Sequence, residues 1–186
     1  MVSTGDARQY SNEAHGDAYG FELLLEQEKI GDFSGFLAVS VSKSTRTNEI
    51  TNETARFELD KPFVLDWVVS YEPNERWKIG TKWNLSSGKL YTPVVGSYEY
   101  TDFPGSYAPI YGEFNSQRFP MTHQLDVRIE YTKQSAKKDI TYYADILNLY
   151  NQKNVEGYSY NADYSEIEED TGGFPFLPLL GMKITF

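Results

Sequence analysis

Apolar side chains recur at every second residue of this chain, in runs of about 9–11 residues. A period of two places one set of side chains on one face of an extended strand and the intervening set on the other. The clearest run sets Phe63, Leu65, Trp67, Val69 and Tyr71 against Val64, Asp66, Val68, Ser70 and Glu72. Next to it, Trp77, Ile79, Thr81, Trp83 and Leu85 alternate with Lys78, Gly80, Lys82, Asn84 and Ser86. Leu125, Val127, Ile129 and Tyr131 alternate with Asp126, Arg128, Glu130 and Thr132, and Met182, Ile184 and Phe186 with Gly181, Lys183 and Thr185. Earlier, Tyr19, Phe21, Leu23 and Leu25 oppose Gly20, Glu22 and Glu26. Phe33, Leu37, Val39 and Val41 oppose Ser34, Ala38, Ser40 and Ser42, with Phe36 breaking the pattern.

These runs predict antiparallel strands near 17–28, 33–43, 63–72, 77–87, 124–133, 139–148 and 178–186. Residues 1–16 read as a polar lead-in and 17–186 as one β-domain. Ile140, Tyr143, Ala144 and Leu147 also fit a helical stripe. The strand reading is preferred there because Ile140, Thr141, Tyr142 and Tyr143 are strand formers.

Connections alternate between short and long. Lys29 to Asp32, Pro73-Asn74-Glu75 and Gln134 to Lys138 are turns, Pro73 fixing φ and Asn74 tolerating a left-handed backbone. Residues 44–61, 88–122 and 151–176 are polar or rich in Gly, Pro, Ser and Tyr, and read as long loops, the second with room for a local hairpin. Soluble strands average about 5–6 residues, whereas a tilted membrane-crossing strand needs about 9–11. Short turns on one side and long loops on the other are the outer-membrane barrel pattern, with turns periplasmic and loops extracellular. In that orientation Phe33, Tyr71, Trp77, Tyr131, Tyr142 and Phe186 fall at one height, as an interfacial aromatic girdle requires. The fold expected is therefore all-β, an antiparallel transmembrane β-barrel segment of about seven strands, incomplete as a barrel. The face bearing Leu65, Trp67, Val69, Ile79, Trp83, Leu125, Val127, Ile129, Met182 and Ile184 should meet lipid, and Asp66, Lys82, Asp126, Arg128 and Lys183 should face inward. A midplane Lys or Arg in lipid would cost about 2–4 kcal/mol, and in a wet lumen little.

Composition removes several other classes. The formal net charge of -10 argues against a basic nucleic-acid surface. No run approaches about 18 consecutive apolar residues, so no transmembrane helix is expected. A mean hydropathy of -0.54 suits a barrel whose strands are half polar. Met1 to Asn12 lacks the features of a secretory signal. The chain has no cysteine, hence no disulfide framework.

Chemistry-bearing motifs are sparse. There is no P-loop, no G-x-G-x-x-G and no H-E-x-x-H, so neither an enzyme nor a cofactor is expected. His15 and His123 have no partner cluster in sequence, and His123 reads as a residue at the lip of the fifth strand. Asp163, Glu166, Glu168, Glu169 and Asp170 form an acidic run without EF-hand order, read as a solvated loop. Tyr91, Tyr98, Tyr107 and Tyr111 in the 88–122 loop are candidate extracellular ligand contacts, since Tyr offers contact area at low entropic cost. The competing reading is packing within the loop itself.

The chain resembles the C-terminal end of TonB-dependent outer-membrane receptors. The residues that carry this are Asn115-Ser116-Gln117-Arg118-Phe119-Pro120, His123-Gln124-Leu125-Asp126-Val127-Arg128, Tyr143 through Asn151, Asn154-Val155-Glu156-Gly157-Tyr158 and the closing Leu177 to Phe186. Ala18 to Glu22 and Gly88 to Pro93 match upstream patterns, so the resemblance covers roughly 16–186. It implies a large barrel of about 22 strands with a plug in its lumen. It further implies a Gram-negative outer-membrane location, active nutrient uptake by the whole receptor, and Phe186 as a signal read by barrel-assembly machinery. The 186 residues contain no counterpart of the plug, of the segment contacting the energy-transducing periplasmic partner, or of the early strands. The partners implied are outer-membrane lipid and those missing strands and plug. This chain should therefore be a barrel-wall fragment that does not transport alone. The alternative is a soluble or self-assembling β-barrel binding protein.

Overall fold

The computed structural model describes residues 13–186. Most of the expected lead-in lies outside them, and Ala14, His15 and Gly16 belong to the first strand rather than to a separate segment. Among the described residues there are strands and turns and no helix. The long strands are β1 (Ala14–Ile30) and β2 (Phe33–Asn48), then, after the three-residue β3 (Thr54–Arg56), β4 (Phe63–Asn74) and β5 (Trp77–Ser86). The 88–122 connection carries β6 (Leu90–Tyr91), β7 (Val94–Glu99), β8 (Tyr107–Tyr111) and β9 (Gln117–Arg118). β10 (Thr122–Lys133) and β11 (Asp139–Leu147) follow, then β12 (Asn154–Tyr160), β13 (Ile167–Gly172) and β14 (Leu177–Thr185).

The main sheet runs in the order β1-β2-β4-β5-β10-β11-β14, with β3 beside β2, and every pairing is antiparallel. This path is open: among the described residues β1 and β14 are its two edges. The ambiguous 140–147 segment is strand, because β11 is held on both sides by β10 and β14.

Register carries the alternation across the whole sheet. Leu23 lies opposite Val39, Val39 opposite Leu65, Leu65 opposite Leu85 and Leu85 opposite His123. Trp67 lies opposite Leu37 and Trp83, and Trp83 opposite Leu125. Ile129 is opposite Ile79 and Ala144, and Ala144 opposite Leu180. Directly paired residues share a face, so one face is apolar from edge to edge. The other pairs Asp66 with Asn84, Asp126 with Lys82, and Arg128 with Asp145. Leu125 and Arg128 are on opposite faces, as the alternation requires.

The apolar face is bare. Among the described residues the only buried apolar side chains are Leu90 and Val155, both beyond the loop end of the main sheet. Phe21 is 65% exposed, Trp67 49% and Met182 55%. Among the described residues no second layer covers this sheet, and its apolar side chains find no core there.

The polar face is tied by its own side chains. Asn84 Nδ2 donates to Asp66 at 2.8 Å, and Arg128 Nη1 donates to both Asp145 oxygens at 2.9 and 2.7 Å while its Nε pairs with Glu130. The Arg128 guanidinium lies 4.2 Å from the Tyr143 ring centroid. Tyr143 in turn crosses Gly181, where an added Cβ would come within 2.2 Å of the ring.

At the turn end, Phe33 stacks on Tyr71 (4.6 Å between centroids) and Trp77 lies 4.9 Å from Tyr131, which pairs with Tyr142. The expected aromatic residues thus meet on one face in two groups, Phe33 with Tyr71 and Trp77 with Tyr131 and Tyr142, while Phe186 lies past the end of β14, away from Tyr142, which pairs with Met182. Gly31, at φ 59, makes the two-residue turn between paired Ile30 and Phe33. The second turn differs from expectation. Asn74 pairs with Trp77, so Glu75 and Arg76 make the turn. Asn74 acts instead through its side chain, whose oxygen accepts from the Arg76 and Trp77 amides at 3.0 and 3.1 Å.

The long connections are more ordered than expected. The 44–61 segment is not wholly loop: β2 continues to Asn48 and β3 pairs back onto it. The 88–122 segment holds the β7–β8 hairpin and the small β6–β9 ladder, and 151–176 holds the β12–β13 hairpin.

Candidate functional site

The loops gather at the opposite end of the sheet from the aromatic row, and a few polar side chains fix their bases. Asp60, only 4% exposed, accepts the Ser44 amide at 2.7 Å on one oxygen and Arg118 Nη2 at 2.7 Å on the other. Arg118 Nη1 also donates to the carbonyls of Asp60 (2.6 Å) and Gly88 (2.7 Å). This guanidinium therefore clasps the first long connection to both ends of the second. The fit admits no side chain at Gly88, where a Cβ would come within 2.3 Å of the Phe119 carbonyl oxygen.

A second hub sits where β11 ends. Asn148 is 1% exposed and left-handed, at φ 51. Its amide donates to Asp126 (2.9 Å), its Nδ2 to the carbonyls of Gln152 and Phe174 (2.9 and 2.8 Å), and its Oδ1 accepts the Gln152 amide (2.8 Å). Asn151, also left-handed, accepts the Phe176 amide at 3.0 Å and so holds the start of β14's approach. Between them, Leu149 N donates to Leu125 O at 2.7 Å. Tyr150 Oη accepts from Trp83 Nε1 at 3.2 Å and hydrogen-bonds His123 Nδ1 at 2.7 Å. Asn154 bridges back to β10 through the His123 amide and carbonyl at 3.0 and 3.1 Å. The residues between Asn148 and Asn154 are thus a scaffold on which the third loop stands.

The four candidate tyrosines do not converge. Tyr91 is half-buried, stacked 4.4 Å from Phe119 and edge-on to Tyr158 at 5.2 Å. Burial, then the neighbouring phenols of Tyr158 and Tyr160, pushes its own phenol above the ordinary tyrosine range. Its placement is that of a packing residue joining the second and third loops. On the β7–β8 hairpin, Tyr98 pairs with Ala108 and lies 5.6 Å from Tyr100, half exposed. Tyr107, Pro109 and Tyr111 occupy the alternate positions and the opposite hairpin face. On that second face Ser97 Oγ donates to the Asp163 carbonyl at 2.7 Å, docking the hairpin on the third loop. Tyr98 and the 64%-exposed Tyr111 remain accessible, on different faces.

Among the described residues no group of three or more His, Cys, Asp or Glu side chains is arranged to hold a metal ion. The acidic run is dispersed. Asp163 accepts both the amide and hydroxyl of Ser165, whose hydroxyl is the leading cause holding its carboxyl below the usual range. Asp170 pairs with Ser159, and Glu168 and Glu169 alternate along β13. Phe186, just past β14, is 96% exposed.

Alternation alone did not reveal Asp60, Arg118 and Asn148. The Asp60–Arg118 contact spans 58 residues. Asn148 carried a local signal, an Asn directly after a strand, where a left-handed residue commonly reverses the chain. Comparison with protein-family models, curated proteins and solved structures gave no match for this chain.

Proposed function

We propose that this chain is the C-terminal wall of an outer-membrane β-barrel receptor of the TonB-dependent kind, contributing to active nutrient uptake and inactive by itself. The observation that supports this most is the single-layer sheet with one continuous bare apolar face and one polar, internally hydrogen-bonded face. In water each exposed Leu or Phe forgoes about 1.5–3 kcal/mol of burial. In a bilayer the same face is solvated by acyl chains, the aromatic row sits at the headgroup level, and the polar face lines a wet lumen. The loop bases clasped by Arg118 and Asn148 then stand on the extracellular side, where Tyr98 and Tyr111 are the candidate ligand contacts left accessible. Phe186 is the residue offered to barrel-assembly machinery.

An open sheet leaves unpaired N–H and C=O groups along both edges, each costing several kcal/mol in lipid. Further strands must therefore close it. The test expresses residues 1–186 behind a secretion signal, alone and together with the polypeptide encoded immediately upstream. Heat-modifiable migration and nutrient uptake are measured. The expected result is neither property alone and both together. A detergent-resistant barrel with uptake from this chain alone, or no uptake from the pair, would overturn the proposal.

A further inference from the structure

We infer that His123 and Tyr150 form a proton-operated latch at the base of the third long connection, closed while the His123 imidazole is neutral and opened when it takes up a proton. The latch stands on one chain of hydrogen bonds across three elements, and needs neither lipid nor a closed barrel.

The polarity of that chain of bonds is set from its two ends. Trp83, on β5, has an indole N–H that can only donate. It donates to Tyr150 Oη at 3.2 Å. The phenol has one proton, and among the described residues its other hydrogen-bond partner is His123 Nδ1 at 2.7 Å. That separation is usual for an O–H donor and shorter than the roughly 2.9–3.0 Å usual for an N–H donor. The hydroxyl therefore donates and Nδ1 accepts. A neutral imidazole that accepts at Nδ1 carries its proton on Nε2. Protonation places a hydrogen on both ring nitrogens. The His123 and Tyr150 protons then face each other across the same gap, and the phenol must turn away.

The surroundings favour the neutral ring. His123 lies opposite Leu85 on the apolar face, with Trp83 and Leu125 as the next residues along that face. Lys82 and Asp126 belong to the other face, and Asp126 accepts from Gln124 and the Asn148 amide. The scaffold contributes Lys153, and β12 contributes Glu156, whose carboxylate lies over Gly172 of β13. Among the described residues none of these forms an ion pair with His123. An imidazolium there is set against apolar neighbours without a carboxylate to offset its charge. The closed latch holds fewer protons than the open one. Falling pH therefore favours opening, over the range of about pH 5–8 in which histidine side chains change charge. Asn148 and Asn154 do not titrate and stay tied to Asp126 and to the His123 backbone. Opening thus frees Leu149 to Lys153 between two fixed points and loosens the footing of the β12–β13 hairpin.

The test follows the full chain in detergent micelles by NMR from about pH 8 to about pH 5, the range in which histidine titrates. Neither lipid nor a further strand enters it, so a failure of uptake or of membrane insertion leaves its outcome unaffected. The chain has two histidines, and His15→Asn tells them apart; His15 lies on β1 and pairs with Glu49. At the upper pH the His123 ring should show the nitrogen shifts of the Nε2–H tautomer. On acidification the Trp83 indole N–H resonance should move together with the His123 ring. Protection of the Leu149 amide, which donates to Leu125 O, should fall about tenfold after correction for intrinsic exchange, the equivalent of 1.4 kcal/mol. The Asn148 amide should keep its protection. His123→Asn retains an acceptor near the Nδ1 position and takes up no proton, so Trp83 and Leu149 should not respond to pH. Tyr150→Phe removes the latch, and Leu149 should exchange at the open rate throughout. The tautomer and the pH series are read on the unmodified chain, so a variant that fails to fold leaves them standing. An Nδ1–H tautomer at the upper pH, Leu149 protection indifferent to pH in the unmodified chain, or an equal response in folded His123→Asn would overturn the inference. Circular dichroism of each variant establishes that its sheet is intact.

Discussion

Single side chains decide how the loop end is held, and each has a separable consequence. Arg118 gives three hydrogen bonds to two segments far apart in sequence, one of them to the buried Asp60 carboxylate. Removing one partner of such a pair leaves the other uncompensated and costs about 3–5 kcal/mol. Arg118→Ala should therefore release residues 49–62 and 88–93 to limited proteolysis while the 124–133 strand stays protected. Asn148 combines a left-handed backbone with four side-chain and amide hydrogen bonds. Asn148→Gly keeps the conformation and loses the side-chain bonds. Asn148→Ala loses the same bonds and adds a left-handed penalty of about 1–2 kcal/mol. Denaturation should accordingly rank wild type above Gly and Gly above Ala. Tyr91 supplies a pH signature. Its folded phenol titrates above the unfolded value, so its contribution is fully present below about pH 10 and is lost as pH rises through the raised folded value. A tyrosinate absorbance titration should show a late phase that Tyr91→Phe removes.

At the scale of elements, the long strands were legible and the short ones were not, for a physical reason. A strand with one face solvated differently from the other must alternate, and runs such as Phe63 to Tyr71 display it; the strand expected near 63–72 is β4, Phe63–Asn74. β6, β9 and the hairpins β7–β8 and β12–β13 lie outside the main sheet and are under no such constraint. Their sequences carry Tyr, Gly and acids on both faces. The turn falls one or two residues later than Pro73-Asn74-Glu75, because Asn serves a turn either by its backbone or by its side chain and sequence does not say which. The candidate tyrosines crowd together in sequence, and a hairpin separates neighbours by putting alternate residues on opposite faces. Tyr143 shows an element-level stabiliser that alternation misses. It covers Gly181 of the adjacent strand and stacks beneath Arg128. Tyr143→Ala should weaken the β11–β14 pairing by about 1–2 kcal/mol, seen as faster amide exchange along β14, whereas Tyr143→Phe should retain most of the protection.

For the whole molecule, the sheet is a wall and not a core. Its seven long strands meander in sequence order, apolar on one face and polar on the other, with an aromatic row at the turn end and clasped loops at the other. Among the described residues nothing covers the apolar face, and in the proposed reading its solvent is lipid. All three tryptophans of the chain, Trp67, Trp77 and Trp83, stand on that face, which makes fluorescence a direct probe. The decisive measurement refolds residues 1–186 into mixed micelles of detergent and phospholipid brominated along the acyl chain. It compares quenching by bromine with quenching by aqueous iodide. Strong bromine quenching with weak iodide quenching is expected, because acyl chains pack on this face whether or not the barrel is closed. Tryptophans open to iodide and untouched by brominated lipid would contradict the membrane-wall reading.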